Sequence, residues 1–585
     1  MRASVPGIGE ARDPVHISYE GRTLECFAGD SVSAALIDAG EYVCREAADG
    51  TPRGVFCGMG VCQECLVVID GRPGERACMT PVRDGMMVGV QPARPSLAGL
   101  ARTPPPAREE LACDVLVVGA GAAGMAAAAA AAEAGLDVVL VDERPRLGGQ
   151  FYKQPSRVGS ADDDLLDPQY RAGRALIDRL ERSGCRILSQ TQVWGLFGPT
   201  EVAAVGPAAS WTLRPRRLLL ATGAYERGVP LPGWTLPGVL TTGAAQTLLR
   251  AYQVVPGRRV LIAGNGPLNM QVAAELVRAG ATVVGLAELA PRPLPGRLDA
   301  AARMLALAPG LIRDGLGYQA TLRRARVPTL YGSALVRAEG ERRVEHAVVS
   351  LIDEAGRAVA GSDRSFEVDA ICMGYGFLSS TELSRAAGCR HAFDARQGQL
   401  VALTDERGRT SVDGVWAIGD GAGVAGARVA RALGTVAALD AARSLGATPG
   451  PELVADERRA RRAHWRARHF QEALWKLYRA PRLSTQLAED DTLLCRCESV
   501  SHAAVEAALE DDAEHVGAIK RATRAGMGGC QGRYCGTILA DASSRRSGGS
   551  IGELSLFSPA APVKPTRIGA LAGDPHEAPQ TWRGF

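Results

Sequence analysis

What this chain has little of narrows its chemistry first. Only 5% of its 585 residues are aromatic, and 67 basic against 64 acidic side chains leave a net charge of +3. Charge so evenly balanced provides no domain-wide basic face, which argues against nucleic acid as a partner. No stretch is apolar for the length a membrane span needs; the longest such run, around MAAAAAAAEAG, is alanine-rich and broken by Glu133. The opening residues, MRASVPGIGEARDPVHISYEG, lack the apolar core of a secretory signal. The expectation is a cytoplasmic chain with no integral membrane segment, whose 14 cysteines are thiols, ligands or redox groups and not structural disulfides. None of the histidines (His16, His346, His391, His464, His469, His502, His515 and His576) stands beside a paired carboxylate or nucleophile motif. The sequence therefore marks no proton-transfer residue, and the catalytic residues are unknown.

Glycine, by contrast, is abundant at 69 residues, in a composition suited to soluble α/β nucleotide-binding architecture. The length exceeds what one core supports, so three or four units are expected.

Eight of the cysteines fall into two constellations. Cys57, Cys62, Cys65 and Cys78 follow the pattern C-x4-C-x2-C-x12-C, which matches the plant-type [2Fe–2S] spacing of three thiolates from one loop and a fourth from further on. Gly58 and Gly60 suit a loop that must adopt positive φ angles and turn backbone N–H groups toward sulfur. Zinc, the competing reading, usually takes two separated C-x2-C knuckles. The flanking alternating segments VHISYEG, RTLECFAG and CLVVIDG suit a small β-grasp domain. At the other end, Cys495 and Cys497 form C-x-C, and Cys530 and Cys535 form C-x4-C after 32 intervening residues of helical periodicity with a glycine stop. Four thiolates suffice for a second [2Fe–2S] cluster, with structural zinc again the alternative. The remaining cysteines, Cys26, Cys44, Cys113, Cys185, Cys372 and Cys389, read as buried small hydrophobes.

The centre of the chain reads as a dinucleotide-binding protein. CDVLVVGAGAAGMAAAAAAAEAGLDVVLVDE is a strand, a turn of Gly119, Gly121, Ala122 and Gly124, an alanine-rich helix, and a second strand ending in Asp142 and Glu143. The glycines permit the tight turn, the approach of pyrophosphate and the helix–strand contact, and the acid after the second strand can hold ribose hydroxyls. Later strands end at Ala221, Thr222 and Gly223, and at Gly419 and Asp420 before a glycine-led helix. Between them a second nucleotide-like unit carries Gly264 and Gly266 after a strand and Glu288 at the end of the next, with Asn269 where the third glycine would stand. Glu288 could chelate the ribose of NAD and would repel the 2′-phosphate of NADP. A degenerate fold kept as scaffold explains these residues as well. The basic segment that follows places Trp465, Phe470, Trp475 and Tyr478 at helix-like intervals, predicting one face that packs on the dinucleotide domain or a partner.

Taken together, these motifs resemble the α subunits of multi-subunit amino-acid-oxidising flavoenzymes. These include hydrogen cyanide synthase, octopine and nopaline dehydrogenases, D-hydroxyproline dehydrogenase, dye-linked L-proline dehydrogenase and heterotetrameric sarcosine oxidase. The resemblance runs roughly from His16 to Thr537, with the small cluster subunit fused to the flavoprotein. The C-terminal cysteines resemble those of bacterioferritin-associated-ferredoxin-like domains.

The resemblance implies a multidomain α/β chain. Its parts would be a β-grasp [2Fe–2S] ferredoxin-like domain at 1–92, a proline-rich linker at 93–112, an FAD-binding Rossmann-like domain at 113–255 and 371–450 enclosing a second nucleotide-binding-like domain at 256–370, a basic helical connector at 451–490, a small helical [2Fe–2S] domain at 491–545, and a tail at 546–585. It makes FAD the first dinucleotide, with Asp420 at its ribityl or pyrophosphate region and Arg146 to Gln150, including Gly149, near it. It leaves NAD or ATP open at the second fold and FMN open at a subunit interface. It further implies a partner β subunit, related to D-amino-acid dehydrogenases and holding its own FAD, that oxidises the substrate C–N bond to an imine. This chain would be the electron-transferring flavin and iron–sulfur subunit, with the two clusters bracketing the flavin and a respiratory or protein acceptor, peripherally at the inner membrane, taking the electrons. An autonomous NADH-dependent FAD and [2Fe–2S] reductase is the runner-up, and a scaffold holding FAD or ATP structurally the third reading.

Overall fold

A computed structural model describes residues 1–5, 8, 13–98, 100, 105–156, 166–292, 297–511 and 513–571. At the N-terminal end, five strands form one sheet in the order Arg22–Phe27, Pro14–Tyr19, Met87–Val90, Leu66–Ile69 and Arg72–Arg76. Pro14–Tyr19 runs antiparallel to its hairpin partner and parallel to Met87–Val90. The buried helix Val32–Asp38, capped by the Ser31 hydroxyl accepting from Ala34 N, belongs to the same small unit. That is the β-grasp arrangement the alternating segments predict, and the loop carrying Cys57, Cys62 and Cys65 leads into the strand Leu66–Ile69.

The segment 93–112 does not stay a linker to its end. Ala107–Val118 is one long strand, pairing in parallel with Ala209–Leu220 from Ala107 onward; positions 99 and 101–104 lie outside the described residues. This strand is central in a sheet ordered Arg186–Leu188, Val138–Val141, Ala107–Val118, Ala209–Leu220, Val202–Val205 and Gln192–Leu196, with Val415–Ala417 added beside Ala209–Leu220. Helices Ala122–Glu133 and Ala427–Ser444 pack on it face to face. The long alanine run thus has a packing reason: Ala126 to Ala131 are buried, and a Cβ on Gly434 would stand 2.2 Å from the carbonyl of Ala123. Only small residues permit two backbones to cross so closely.

The second nucleotide fold is an all-parallel sheet in the order Val239–Thr241, Ala370–Gly374, Arg259–Gly264, Thr282–Glu288 and Thr329–Tyr331. Its glycine turn leads into helix Pro267–Arg278, with proline in the first turn, where no hydrogen bond is lost. The basic connector is the helix Pro451–Leu477. It does not present one aromatic face: Phe470 is buried with Ala300, Met304 and Ala473, whereas Trp465 is 57% exposed and stacks on His469. The C-terminal unit pairs Leu493–Cys495 with Val500–Ser501 and adds helices His502–Glu510, Val516–Thr523 and Gly536–Ser547. Among the described residues no helix is long and apolar enough to cross a membrane.

Candidate functional site

The first glycine turn is built for close approach. Gly119 takes φ +106° with a Cβ position 2.4 Å from the carbonyl of Ala221, and a Cβ on Gly124 would lie 1.7 Å from the carbonyl of Gly119. Gly121 differs, because nothing stands within 4 Å of its Cβ position. It is the N-cap of helix Ala122–Glu133, and no side chain caps the first N–H groups of that helix. Free N–H groups at a helix start, with the positive end of its dipole, suit a pyrophosphate. A Cβ on Gly149, at φ +60°, would meet the Cα of Gly121 at 2.7 Å, which puts the segment Arg146 to Gln150 against the same turn.

The two acids after the second strand have different tasks. Asp142 accepts from Ala120 N at 2.6 Å and from Arg144 N at 2.8 Å, so it braces the glycine turn, and burial pushes its carboxyl up. Glu143 accepts from the Lys564 ammonium at 2.7 Å; despite burial, Lys564 and Arg76 hold its carboxyl below the usual range. On the far strand, one Asp420 oxygen accepts from Ala425 N and Gly426 N at 3.0 Å each, at the start of helix Ala427–Ser444, and burial raises its carboxyl. Thr222 donates to the carbonyl of Ser380 at 2.7 Å. Gly119, Gly121, Ala122, Asp142, Glu143, Gly149, Gln150, Ala221, Thr222, Gly223, Gly419 and Asp420 all line one cavity of about 2360 Å³, roomy for a dinucleotide. These residues fit FAD.

The second fold opens into the same cavity at Asn265, Gly266 and Pro267. Its acid, Glu288, accepts from Gly266 N at 3.2 Å and Ala290 N at 3.0 Å, and burial raises its carboxyl to about 8. Asn269 donates to the carbonyl of Gly374 at 2.9 Å and accepts from the Thr242 hydroxyl at 2.8 Å. A Cβ on Gly264 would stand 2.1 Å from that same carbonyl, so Asn269 ties the helix to the strand edge that Gly264 approaches. Asn265 donates to the carbonyl of Tyr478 at 3.0 Å, laying the end of the connector beside the turn.

The structure brings cysteines of each constellation close to one another. The Cys57 sulfur accepts from Cys62 N at 3.4 Å and Met59 N at 3.5 Å, and the neighbouring Cys78 thiol together with burial pushes the Cys65 thiol up. Against the upward push of burial, the Cys62 thiol and the N–H groups of Cys62, Met59 and Val61 pull the Cys57 thiol down to about 6. At the other end, the neighbouring Cys497 and Cys535 thiols pull the Cys495 thiol down to about 3, and the sulfurs of Cys497 and Cys530 are 3.4 Å apart. A Cβ on Gly528 would stand 2.7 Å from the Cys497 sulfur, so this loop needs glycine to pass the thiols. Among the described residues, no three His, Cys, Asp or Glu side chains converge as ligands of a single metal ion. Pairs of thiols are what the two irons of a [2Fe–2S] cluster divide between them.

The structure places the two quartets differently from the sequence expectation. They do not bracket the flavin cavity; they adjoin each other, with Met59 of the first loop and Arg533 of the second both on the cavity wall. Of the lone cysteines, Cys26, Cys44, Cys113, Cys372 and Cys389 are buried, and Cys185 is half-buried. Sequence reading missed one buried group, Lys153, and named a second, His391, only among the histidines that mark no proton-transfer site. Lys153, on the cavity wall, donates to Gln246 at 3.2 Å, and burial lowers its ammonium to about 7. His391 bonds Ser384 and the carbonyl of Cys389 at 2.8 Å each. Neither is flagged by a motif, because each is defined by neighbours distant in sequence.

The chain matches the pyridine nucleotide-disulphide oxidoreductase family over residues 113–435, a 2Fe-2S iron-sulfur cluster binding domain over 12–93, and the sarcosine oxidase A3 domain over 490–574. It is 34% identical to the A subunit of opine oxidase from Agrobacterium tumefaciens over 482 residues, covering 80% of this chain and 92% of the relative. It is 33% identical to hydrogen cyanide synthase subunit HcnB of Pseudomonas aeruginosa, covering 78% of this chain and 97% of that one. The alpha subunit of sarcosine oxidase from Corynebacterium sp. (strain P-1) is 26% identical, with 66% of this chain and 38% of the relative covered. In fold, the chain is similar to L-proline dehydrogenase from P. horikoshii at a TM-score of 0.70 and 22% identity, covering 98% of this chain and 100% of that one.

Proposed function

The chain belongs to the pyridine nucleotide-disulphide oxidoreductase family and to the family of the opine oxidase A subunit and hydrogen cyanide synthase subunit HcnB; from that premise we propose that it is the electron-transferring subunit of a heteromeric dehydrogenase that oxidises the C–N bond of an amino acid, opine or amine to an imine. Substrate oxidation lies on a partner β subunit, related to D-amino-acid dehydrogenases and carrying its own FAD. The observation that carries this reading is one cavity bearing the dinucleotide residues and walled by both cysteine loops through Met59 and Arg533.

Bound FAD supplies an acceptor of electron pairs that releases them singly, which suits one-electron clusters. The chain's own residues do the holding. The uncapped N–H groups after Gly121 receive the pyrophosphate, with Gly119 and Gly124 allowing the approach. Asp142 keeps the turn in shape, Glu143 with Lys564 faces the ribose, and Ala221 to Gly223, Gly419 and Asp420 close the opposite wall. Cys57, Cys62, Cys65 and Cys78 hold one [2Fe–2S] cluster, and Cys495, Cys497, Cys530 and Cys535 a second. Gly264 and Gly266 offer the second fold to an adenine nucleotide, NAD or ATP. The family resemblance leaves open an FMN at the interface with the partner, and a respiratory or protein acceptor peripherally at the inner membrane.

The relatives pair with this chain over about four fifths of its length, and the cluster domain model lies at its N-terminal end, which supports a fusion of the small cluster protein with the flavoprotein. The test is purification with and without the neighbouring β subunit. The chain alone should hold FAD and about four irons yet oxidise no amino acid, opine or amine until the partner is co-expressed. An isolated chain whose flavin is bleached rapidly by NADH would instead make it an autonomous reductase.

A further inference from the structure

The residues interleaved with the cysteines of one quartet touch those interleaved with the other. Phe56 precedes Cys57 and Tyr534 precedes Cys535; their rings lie 5.4 Å apart at 68°. Glu64 stands between Cys62 and Cys65, and Arg496 between Cys495 and Cys497; their charged groups are 3.6 Å apart. A Cβ on Gly529, next to Cys530, would meet the Gln63 side chain at 3.2 Å. Glu64 is fully buried and Arg496 only 4% exposed. The guanidinium of Arg496 lies 3.9 Å above the Phe56 ring and donates to the carbonyl of Trp234 at 2.7 Å.

Glu64 also accepts from Arg45 at 3.0 Å and lies 3.8 Å from Arg53, and charges buried this deeply are a poor source of stability, since their desolvation offsets most of their attraction. Several of the polar atoms here also make no hydrogen bond, although Glu64 Oε2 and Arg496 Nη2 face each other at 3.6 Å and Arg53 Nε lies 3.8 Å from the same oxygen. Glu64 Oε2 and Arg496 Nε and Nη2 make no hydrogen bond, and neither does the buried Tyr534 hydroxyl, which packs in one cluster with Phe56, Cys57 and Cys62.

We propose that the two cysteine quartets form one electron-exchange unit, in which an electron passes directly between their clusters across the Phe56–Tyr534 and Glu64–Arg496 contacts without returning to the flavin cavity. The proposal rests on the reading that both quartets hold [2Fe–2S] clusters. The step is an outer-sphere transfer: one cluster is oxidised by one electron, the other is reduced by one, and no bond is made or broken. Arg496 and Tyr534 act as positioning residues. They fix the distance between the sites, and the Arg496 charge, shared by both, favours the reduced form of each.

Electron paramagnetic resonance on the full chain tests this. Iron content comes first: about four irons and two cluster signals uphold the underlying reading, and about two irons overturn it together with the proposal. With four irons present, the signals of the fully reduced chain should be split or broadened, and should relax faster, than when the same chain is poised so that only one cluster is reduced. A fully reduced spectrum equal to the sum of two independent signals would overturn direct exchange alone. Arg496→Gln should move both cluster midpoints to lower potential, and Arg496→Lys should restore them in part; a shift confined to the second cluster would contradict a shared charge.

Discussion

Tyr534 packs its ring edge-on against Phe56, across 478 positions of sequence, with Phe56 in turn 5.8 Å from Trp234. The first cysteine loop is therefore clamped between the nucleotide folds and the C-terminal unit. Phe56 is 1% exposed, so Phe56→Ala should cost about 3–5 kcal/mol of packing. Its first thermal transition should fall by several degrees, with iron lost from both sites before flavin. Flavin loss ahead of iron would contradict this order.

The two glycine positions in the first turn separate folding from binding. Gly124→Ala drives a methyl into the carbonyl of Gly119 and should yield little folded protein. Gly121→Ala meets no atom of the chain. It should fold normally and bind FAD at least about tenfold more weakly, because the methyl occupies pyrophosphate space. Flavin fluorescence on deflavinated protein measures it; unchanged affinity would remove Gly121 from the site.

Asp142 holds that turn through Ala120 N and Arg144 N. Asp142→Ala leaves two N–H groups without their acceptor, at about 1–3 kcal/mol. FAD affinity should fall by about tenfold or more, with the iron content unchanged.

Lys153 gives a pH signature. Burial first, then Arg144 and Arg250, lowers its ammonium from 10.5 to about 7. A folded pKa below the unfolded one means that the folded state binds fewer protons between those values. Its contribution to stability is thus present above the window and lost as pH falls through it. Glu226, raised to about 7 by burial, acts in the opposite sense, losing its contribution as pH rises through that value. The difference between the wild type and Lys153→Met isolates the lysine. Relative to the variant, the wild-type thermal transition should rise between about pH 7 and 9. Parallel curves would contradict a buried neutral amine.

How much of this could be read from sequence depends on how local each feature is. The glycine turn and the cysteine spacings were legible because strand, turn and helix, or loop and ligand, are neighbours in the chain. Ala107 to Glu110 looked like linker because their partners, Ala209 to Thr212, lie a hundred residues on. Trp465 kept a helix-like interval yet turned to solvent, whereas Phe470, with Ala473, packs against Met304 and Ala300. Glu64 and Arg496 carry no motif. Only the fold brings the residues inside one cysteine spacing against those inside the other.

Replacing Cys530 with Ser examines the second quartet directly. One of two cluster signals should vanish while the flavin stays bound; survival of both would take Cys530 out of the ligand set.

The most direct test of the central claim is anaerobic reduction of the purified chain's flavin by a panel of amino acids, opines and secondary amines, alone and as the complex with its β subunit. The flavin should bleach only in the complex. Robust turnover of any of these substrates by the isolated chain would contradict a subunit that receives electrons from a partner.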